Sequence, residues 1–185
     1  IDEDMLAEIN WENVPNIEYI EDQFKNLYFD PQQKYSLCFN VGTTALIYNK
    51  QLVSETPESW KVLWDEQYKD KILMFNNSRD AFAIAQALLG QSFNTTSEAD
   101  WNQAAELLAR QKDAVSPVYV MDEIFNLMES GEYAFATYYA GDYALMNENN
   151  EDLAYCFPEE GVNIFYDAFC IPKCVQNKRG AEAFI

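Results

Sequence analysis

The sequence lacks histidine altogether and has only four cysteines in 185 residues. Those four, Cys38, Cys156, Cys170 and Cys174, include no CxxC pair. Structural zinc sites are built from closely spaced Cys and His side chains, so we expect none here. Cys38 and Cys170 each lie in a strand-like run. The sequence therefore leaves open a disulfide between them or two buried thiols, and we favour the thiols.

Basic residues are also scarce, with 12 Lys and Arg against 31 Asp and Glu and a formal net charge of -19. Nucleic-acid binding depends on basic patches, so we expect no nucleic-acid partner. An acidic surface concentrates cations near it, although most of these carboxylates are expected simply to face solvent. The charge is therefore compatible with a cationic ligand but does not identify one.

Long hydrophobic runs and catalytic motifs are missing as well. No stretch approaches the 18 apolar residues of a membrane span, and there is no GxSxG motif, P-loop or glycine-rich dinucleotide turn. An enzyme would have to rely on carboxylates, as glycosidases do, yet no acidic pair stands at a strand end with a reason for opposed pKa values. We expect a protein without enzymatic activity or cofactor, and keep a glycosidase as the less favoured alternative.

What the sequence does contain is an alternation of strand and helix patterns, which favours an α/β fold with a mixed, mostly parallel sheet flanked by helices. A long β-rich run, Tyr35–Tyr48, has a glycine in its middle and predicts a strand that bends or changes partners at Gly42. The other predicted strands are Lys71–Phe75, Tyr133–Tyr139, Leu153–Phe157 and Ile164–Ile171. Helices are predicted up to Ile9, around Tyr19–Leu27, from Thr56 to Trp64, over Ala81–Leu89, from Ser97, over Asp122–Met128, and briefly after Asp142.

Two predicted strand exits carry similar polar residues. Ligands of α/β sheets bind beyond the carboxyl ends of the strands, and the exits Phe75–Asp80 and Tyr138–Asp142 both place an acid where a helix begins. Asp80 and Asp142 are therefore candidate binding residues. Each also has a purely structural interpretation, because an acid in the first turn or at the N-cap stabilises a helix.

The stretch Asn163–Pro172 places two aromatic rings beside an acid, at Phe165, Tyr166 and Asp167. Ring faces attract cations, and a carboxylate supplies the counter-charge that a buried cation needs. This pattern suits the mouth of a cleft that binds a cation. A buried strand whose single acid faces water would give the same pattern.

Several motifs together resemble the extracellular solute-binding proteins of ABC importers, and within them the spermidine/putrescine-binding branch. The matching segments are Leu6–Asn16, Tyr35-Ser36, Gly42–Ala45, Tyr48–Lys50, Pro57–Trp60 with Leu63-Trp64, Tyr68–Ile72, Leu89-Gly90, Asn94–Thr96 and Asp167–Pro172. They span nearly the whole chain.

This resemblance implies a two-lobed type II periplasmic-binding fold that closes on a polyamine and delivers it to permease subunits in the membrane. It divides the chain into residues 1–40, a portion of the first lobe with its hinge strand; 41–164, the second lobe; and 165–185, the return hinge strand and a helix of the first lobe. It further implies a monomer that acts in the periplasm or outside the cell, and is membrane-anchored in some forms. Both ends of the sequence look cut from a longer protein. The alternative is a protein of the same fold for another small ligand, such as iron, thiamine or a sugar.

The resemblance also assigns binding roles to individual residues. Ser36 and Phe39 match a hydroxyl and an aromatic ring on the first hinge strand, and Asp167 matches an acid that grips an amine. The remaining matched positions are Asn77 and Asp80, where the family has two acids, and Tyr139 and Phe165, at aromatic sites that are often Trp. With Asp142 from the strand exits, these eight residues form the predicted ligand site.

Overall fold

The computed structural model describes all residues from Ile1 to Ile185 and divides them into two compact units. Unit 1 comprises Ile1–Val41 together with Phe165–Ile185, and unit 2 comprises Gly42–Ile164. The chain enters unit 2 within strand β1 (Ser36–Asn49) and leaves it at the start of strand β6 (Ile164–Cys170).

A mixed sheet forms the centre of unit 2, with the strand order β3-β2-β4-β1-β5, and β6 pairs with β1. The strands are β2 (Ile72–Phe75), β3 (Val118–Val120), β4 (Phe135–Tyr139) and β5 (Leu153–Cys156), besides β1. β2 pairs in parallel with β3 and β4, whereas β1 pairs antiparallel with β4 and β5. The predicted α/β fold with a mixed sheet is confirmed, and its parallel part is the group β3, β2 and β4.

Four α-helices accompany this sheet: α1 (Ser78–Leu88), α2 (Glu98–Val115), α3 (Ile124–Glu129) and α4 (Tyr143–Asn149). All four residues of β2 are buried, as expected for a strand covered on both faces. α1 and α2 pack against each other. α2 is capped by Ser97, from which the sequence predicted this helix, whereas α1 begins three residues before the predicted Ala81 and is capped by Asn77. Asn77 Oδ1 accepts a hydrogen bond from the Arg79 amide, and Ser97 Oγ accepts one from the Asp100 amide.

The core of unit 2 includes Trp60, in a 3₁₀ helix that spans Trp60–Trp64. The Trp60 ring is 1% exposed, and its Nε1 donates to the carbonyl of Gly161 over 2.9 Å. The Trp60 amide and the Ser59 hydroxyl both donate to the carboxylate of Glu160. These bonds tie the Pro57–Trp60 motif to the segment that precedes β6.

Unit 1 is smaller and has its own apolar cluster, formed by Ile9, Val14, Leu37 and Ile171. Its helix α5 (Lys178–Phe184) contributes the buried carboxylate of Glu182, which accepts hydrogen bonds from the Asn10 amide and from Asn13 Nδ2. Lys178 forms an ion pair with the same carboxylate over 2.7 Å within α5. The hydrogen bonds from Asn10 and Asn13 connect the first and last segments of this unit.

Some local predictions were wrong. Residues 1–9 form no helix; they run irregularly beside residues distant in sequence, with the amide of Ala7 donating to Ile171 and that of Ile9 to Lys34. Instead of a helix over Tyr19–Leu27, there are short 3₁₀ helices at Trp11–Asn13, Pro15–Tyr19 and Asp22–Phe24. The predicted helix from Thr56 begins only at Trp60, since Ser59 is its cap, and a further 3₁₀ helix covers Glu66–Tyr68. Short helices gain few internal hydrogen bonds, so tertiary contacts decided these segments.

All four cysteines are free thiols. Cys38 is buried but Cys170 is exposed, so the expectation of two buried thiols holds for the first residue only. None of the helices has the length and apolar character needed to cross a membrane.

Candidate ligand-binding site

The strand exits of unit 2 bring three side chains around one carboxylate. Asp80 lies in the first turn of α1, after the end of β2, and is 4% exposed. Its Oδ2 accepts hydrogen bonds from Asn77 Nδ2 at 2.9 Å and from the Tyr139 hydroxyl at 3.1 Å. Its Oδ1 accepts one from Asn163 Nδ2 at 3.0 Å. Three of the predicted site residues, Asn77, Asp80 and Tyr139, therefore meet here.

The hydrogen-bond donors to Asp80 are all neutral groups. Burying a carboxylate is costly unless hydrogen bonds and opposite charge compensate it. The positive end of the α1 dipole contributes part of that compensation, and the three donors contribute more. A full positive charge is what this arrangement still lacks, so it suits a cationic ligand.

Tyr139 behaves as a hydrogen-bond donor in this group. Burial raises the pKa of its hydroxyl above the ordinary value, and the negative charge of Asp80 raises the pKa further. The hydroxyl therefore stays protonated at neutral pH and keeps its hydrogen on the side of Asp80. The ring of Phe75 packs against Tyr139, with the ring centroids 5.3 Å apart.

Two further carboxylates, Asp142 and Asp122, lie near the end of β4. Asp142 is the N-cap residue of α4, as the sequence suggested, but its side chain makes no capping hydrogen bond. Burial, and then the charge of Asp122, raise the pKa of Asp142. Asp122 Oδ1 accepts a hydrogen bond from the Tyr138 hydroxyl at 3.1 Å. These carboxylates add negative potential at the same end of β4 as Tyr139.

Unit 1 holds three more of the predicted residues on β1 and β6. Asp167 is exposed, and its Oδ2 accepts a hydrogen bond from Asn40 Nδ2 at 3.0 Å. Phe39 stacks on Phe169, with the ring centroids 4.3 Å apart, and is 56% exposed. Phe165 is partly buried. A cavity of about 350 Å³ in this unit is lined by Phe39, Asn40, Tyr19 and Phe24 among others.

Ser36 is placed differently from the other predicted residues. It is 7% exposed, and its hydroxyl donates to Asp30 Oδ2 at 2.9 Å. Asp30 also accepts hydrogen bonds from the amides of Lys34, Tyr35 and Ser36. Burial raises the pKa of Asp30, but these hydrogen bonds outweigh it and the pKa lies below the ordinary value. The Ser36 hydroxyl hydrogen is thus engaged inside unit 1.

Two asparagines that touch the acidic residues were missed by the sequence reasoning. Asn40 contacts Asp167, and Asn163 contacts Asp80 from 83 positions away in sequence. Asn40 is next to Phe39, and Asn163 is the first residue of the highlighted stretch Asn163–Pro172, but the sequence assigned neither of them a role. No sequence motif identifies these two contacts, because each depends on the pairing of segments that are distant in sequence.

Comparison with known proteins identifies the family. The model of the bacterial extracellular solute-binding protein family matches residues 1–185. The spermidine/putrescine-binding periplasmic protein of Salmonella typhimurium is 28% identical over 184 residues, which cover 99% of this chain and 53% of that protein. The chain thus spans about half the length of the curated relatives it matches.

Solved structures agree in fold. The crystal structure of the spermidine/putrescine ABC transporter substrate-binding protein PotD from Streptococcus pneumoniae is 32% identical with a TM-score of 0.82, covering 100% of this chain and 57% of that one. A PotD lipoprotein of Treponema pallidum has a TM-score of 0.87 at 24% identity, covering 99% and 59%, and supports the fold alone. The fold is that of type II periplasmic-binding proteins, and this chain belongs to the bacterial extracellular solute-binding protein family.

Proposed function

We propose that this chain is part of the substrate-binding component of an ABC importer and that its ligand is a polyamine, putrescine or spermidine. The observation that carries the proposal is the buried carboxylate of Asp80, whose hydrogen-bond partners are all neutral. A protonated amine would supply the missing charge. The names of the relatives from Salmonella typhimurium and Streptococcus pneumoniae support the same ligand class.

Each unit contributes one principal acid in this proposal. Asp80 serves unit 2 and Asp167 serves unit 1, while Asn77 and Asp142 complete the polar groups of unit 2. The rings of Phe39, Tyr139 and Phe165 act as walls that contact the methylene chain and the ammonium groups. Ser36 supports this arrangement through its hydrogen bond to Asp30 rather than by donating its hydroxyl hydrogen to the ligand.

The energetics require charged hydrogen bonds. Micromolar binding corresponds to about -8 kcal/mol, and two ammonium groups lose much of their hydration when they are buried. Aromatic contacts supply roughly 0.5–2 kcal/mol each, so charge-assisted hydrogen bonds to the carboxylates must provide most of the remainder. One carboxylate per ammonium group is the minimum that satisfies a linear diamine.

The proposed role also fixes partners and location. A binding component hands its ligand to permease subunits and works outside the cytoplasmic membrane, either free in the periplasm or attached by a lipid. It catalyses no reaction, acts as a monomer and binds no nucleic acid.

The test is isothermal titration calorimetry on the full-length protein with Asp167→Asn. We expect putrescine and spermidine to bind the wild type and binding to the variant to fall below detection, because Asp167 is the acid assigned to one ammonium group. A thermal-shift panel with thiamine, ferric iron and simple sugars covers the other ligands of this fold. Stabilisation by one of these and not by polyamines would refute the proposal, and so would unchanged affinity in the variant.

A further inference from the structure

Asn163 is the one partner of Asp80 to which neither the motif analysis nor the comparisons give a role. It lies just before β6, and its side-chain Nδ2 donates to Asp80 Oδ1 at 3.0 Å. Its Oδ1 accepts none of the hydrogen bonds in the structure. Each side-chain amide oxygen can accept two hydrogen bonds, so Asn163 presents unused acceptor capacity next to a buried carboxylate.

The hydrogen-bonding capacity of Asp80 is nearly filled by the protein itself. An ionised carboxylate accepts about four hydrogen bonds, and Asp80 already accepts two at Oδ2 and one at Oδ1. About one position remains, at Oδ1, beside Asn163. A primary ammonium group has three N–H donors, so Asp80 alone cannot satisfy it.

The backbone of Asn163 is held rigidly by β1. Its amide donates to Thr44 Oγ1 at 3.1 Å, while its carbonyl accepts from the Thr44 amide at 3.0 Å and from the Thr43 hydroxyl at 3.1 Å. Thr44 is 2% exposed. The preceding segment is fixed through Glu160 and Gly161 to Ser59 and Trp60. None of these bonds uses the Asn163 side chain. The backbone bonds therefore position the residue, and its side chain remains available for other hydrogen bonds.

We propose that Asn163 is a ligand-binding residue that selects a primary ammonium group at the Asp80 end of the site. Its Nδ2 orients Asp80 Oδ1, and its Oδ1 accepts a second N–H of the same ammonium group that pairs with Asp80. This inference rests on the proposed polyamine function and adds which end group is recognised. A primary amine satisfies both acceptors, whereas a trimethylated ammonium group has no N–H to offer either.

The selection has a measurable signature in the wild type. Putrescine should bind more tightly than a putrescine analogue in which each nitrogen carries two methyl groups. Each protonated nitrogen of the analogue keeps only one N–H, which cannot donate to Asp80 and Asn163 at the same time. Replacing Asn163 by Leu keeps a similar shape and removes both the donor and the acceptor. We expect about 10- to 100-fold weaker binding of putrescine, the size of one or two lost hydrogen bonds to a charged group.

The decisive readout is the ratio of the two affinities, measured by calorimetry on the full-length protein. In Asn163→Leu the preference for putrescine over the tetramethyl analogue should shrink several-fold, which a merely structural defect would not produce. Asn102→Leu is the matched control, since Asn102 lies exposed on α2 and makes none of these contacts. Melting of the unliganded variants checks folding, and Asn163→Ala replaces the Leu variant if that one fails to fold.

The outcomes separate this inference from the proposed function. If Asp80→Asn loses putrescine while Asn163→Leu and Asn163→Ala keep wild-type affinity and wild-type preference, Asn163 has no such role and the polyamine function stands. If the wild type binds no polyamine, both the proposed polyamine function and the proposed role of Asn163 are refuted. Weaker binding with an unchanged ratio also overturns the proposal, since Asn163 would then only support the fold.

Discussion

Asp80→Asn is the substitution that most directly tests whether the carboxylate of Asp80 pairs with a cationic ligand. The side chain keeps its shape but loses its negative charge, so a ligand cation at this site would lose its ion-pair partner. Removing one partner of a buried charged hydrogen bond costs about 2–5 kcal/mol of binding free energy, or roughly 30- to 5,000-fold in Kd. We expect putrescine affinity to fall within that range.

The unliganded protein should respond much less to the same change. The new amide oxygen can accept from Asn77 and Tyr139, as Oδ2 of Asp80 does, but its NH₂ group faces Asn163 Nδ2. If the Asn163 side-chain amide rotates by half a turn, its Oδ1 can accept a hydrogen bond from this new NH₂ group. Three charge-assisted bonds become neutral ones, while a buried charge disappears, so the free energy of unfolding should change by no more than about 2 kcal/mol.

The assay is calorimetric titration of full-length wild type and variant with putrescine, accompanied by chemical denaturation of the unliganded proteins. Asp113→Asn makes the same chemical change on the exposed face of α2 and should leave the Kd unaltered. An Asp80→Asn protein that binds putrescine within threefold of the wild type would refute the reasoning. A large loss of stability with unchanged Kd would assign Asp80 a purely structural role.

Three further changes probe other parts of the molecule. Trp60→Ala should lower the free energy of unfolding by about 3–5 kcal/mol in urea denaturation, because it empties a buried site and leaves the Gly161 carbonyl without its donor; a loss below 1 kcal/mol would contradict the packing. In unit 1, hydrogen bonds from Lys178, Asn10 and Asn13 lower the pKa of Glu182 to about 2 from 4.5. A lowered folded-state pKa gives stability that is present above pH 4.5 and lost as the pH falls towards 2, so Glu182→Gln should be less stable at pH 7 and should lack that acid-dependent loss when melting is followed from pH 7 to 2. The pKa of Asp142 is raised, so its ionised form disfavours folding; Asp142→Asn should raise Tm at pH 7, with a smaller gain at pH 4, and should weaken polyamine binding. A lower Tm at pH 7 would show that Asp142 makes a stabilising contact instead.

The strand exits were predictable from sequence because they depend on local pattern. An apolar run that ends in Asn and Asp before a helix identifies the end of β2, and the order of residues alone placed Asp80 in a first turn. Its burial beside Tyr139 follows once β2 and β4 are neighbours in parallel, since their carboxyl ends then meet at one edge. The resemblance reached the same residues by motif.

Long-range contacts limited the remaining predictions. The acidic residues before Ile9 have helix-forming character, yet the amides of Ala7 and Ile9 donate to the carbonyls of Ile171 and Lys34, and no local pattern reveals these contacts. β3 is only three residues long and escaped notice for lack of alternation. Asn163 was inside a highlighted stretch, but its contact with Asp80 depends on a register between β1 and the chain before β6. Ser36 was assigned by motif, and only the structure shows its hydroxyl turned to Asp30.

The division of the chain has a consequence for biosynthesis. Unit 2 is one continuous stretch, whereas unit 1 needs residues from both ends, joined by the bridge between Leu6 and Pro172. As the polypeptide emerges from the ribosome, Gly42–Ile164 can acquire its native contacts while Ile1–Val41 still waits for its partner segment. The segment Ile1–Val41 therefore completes its contacts only after Phe165–Ile185 has been synthesised, whereas unit 2 depends on no segment outside Gly42–Ile164 for its own contacts.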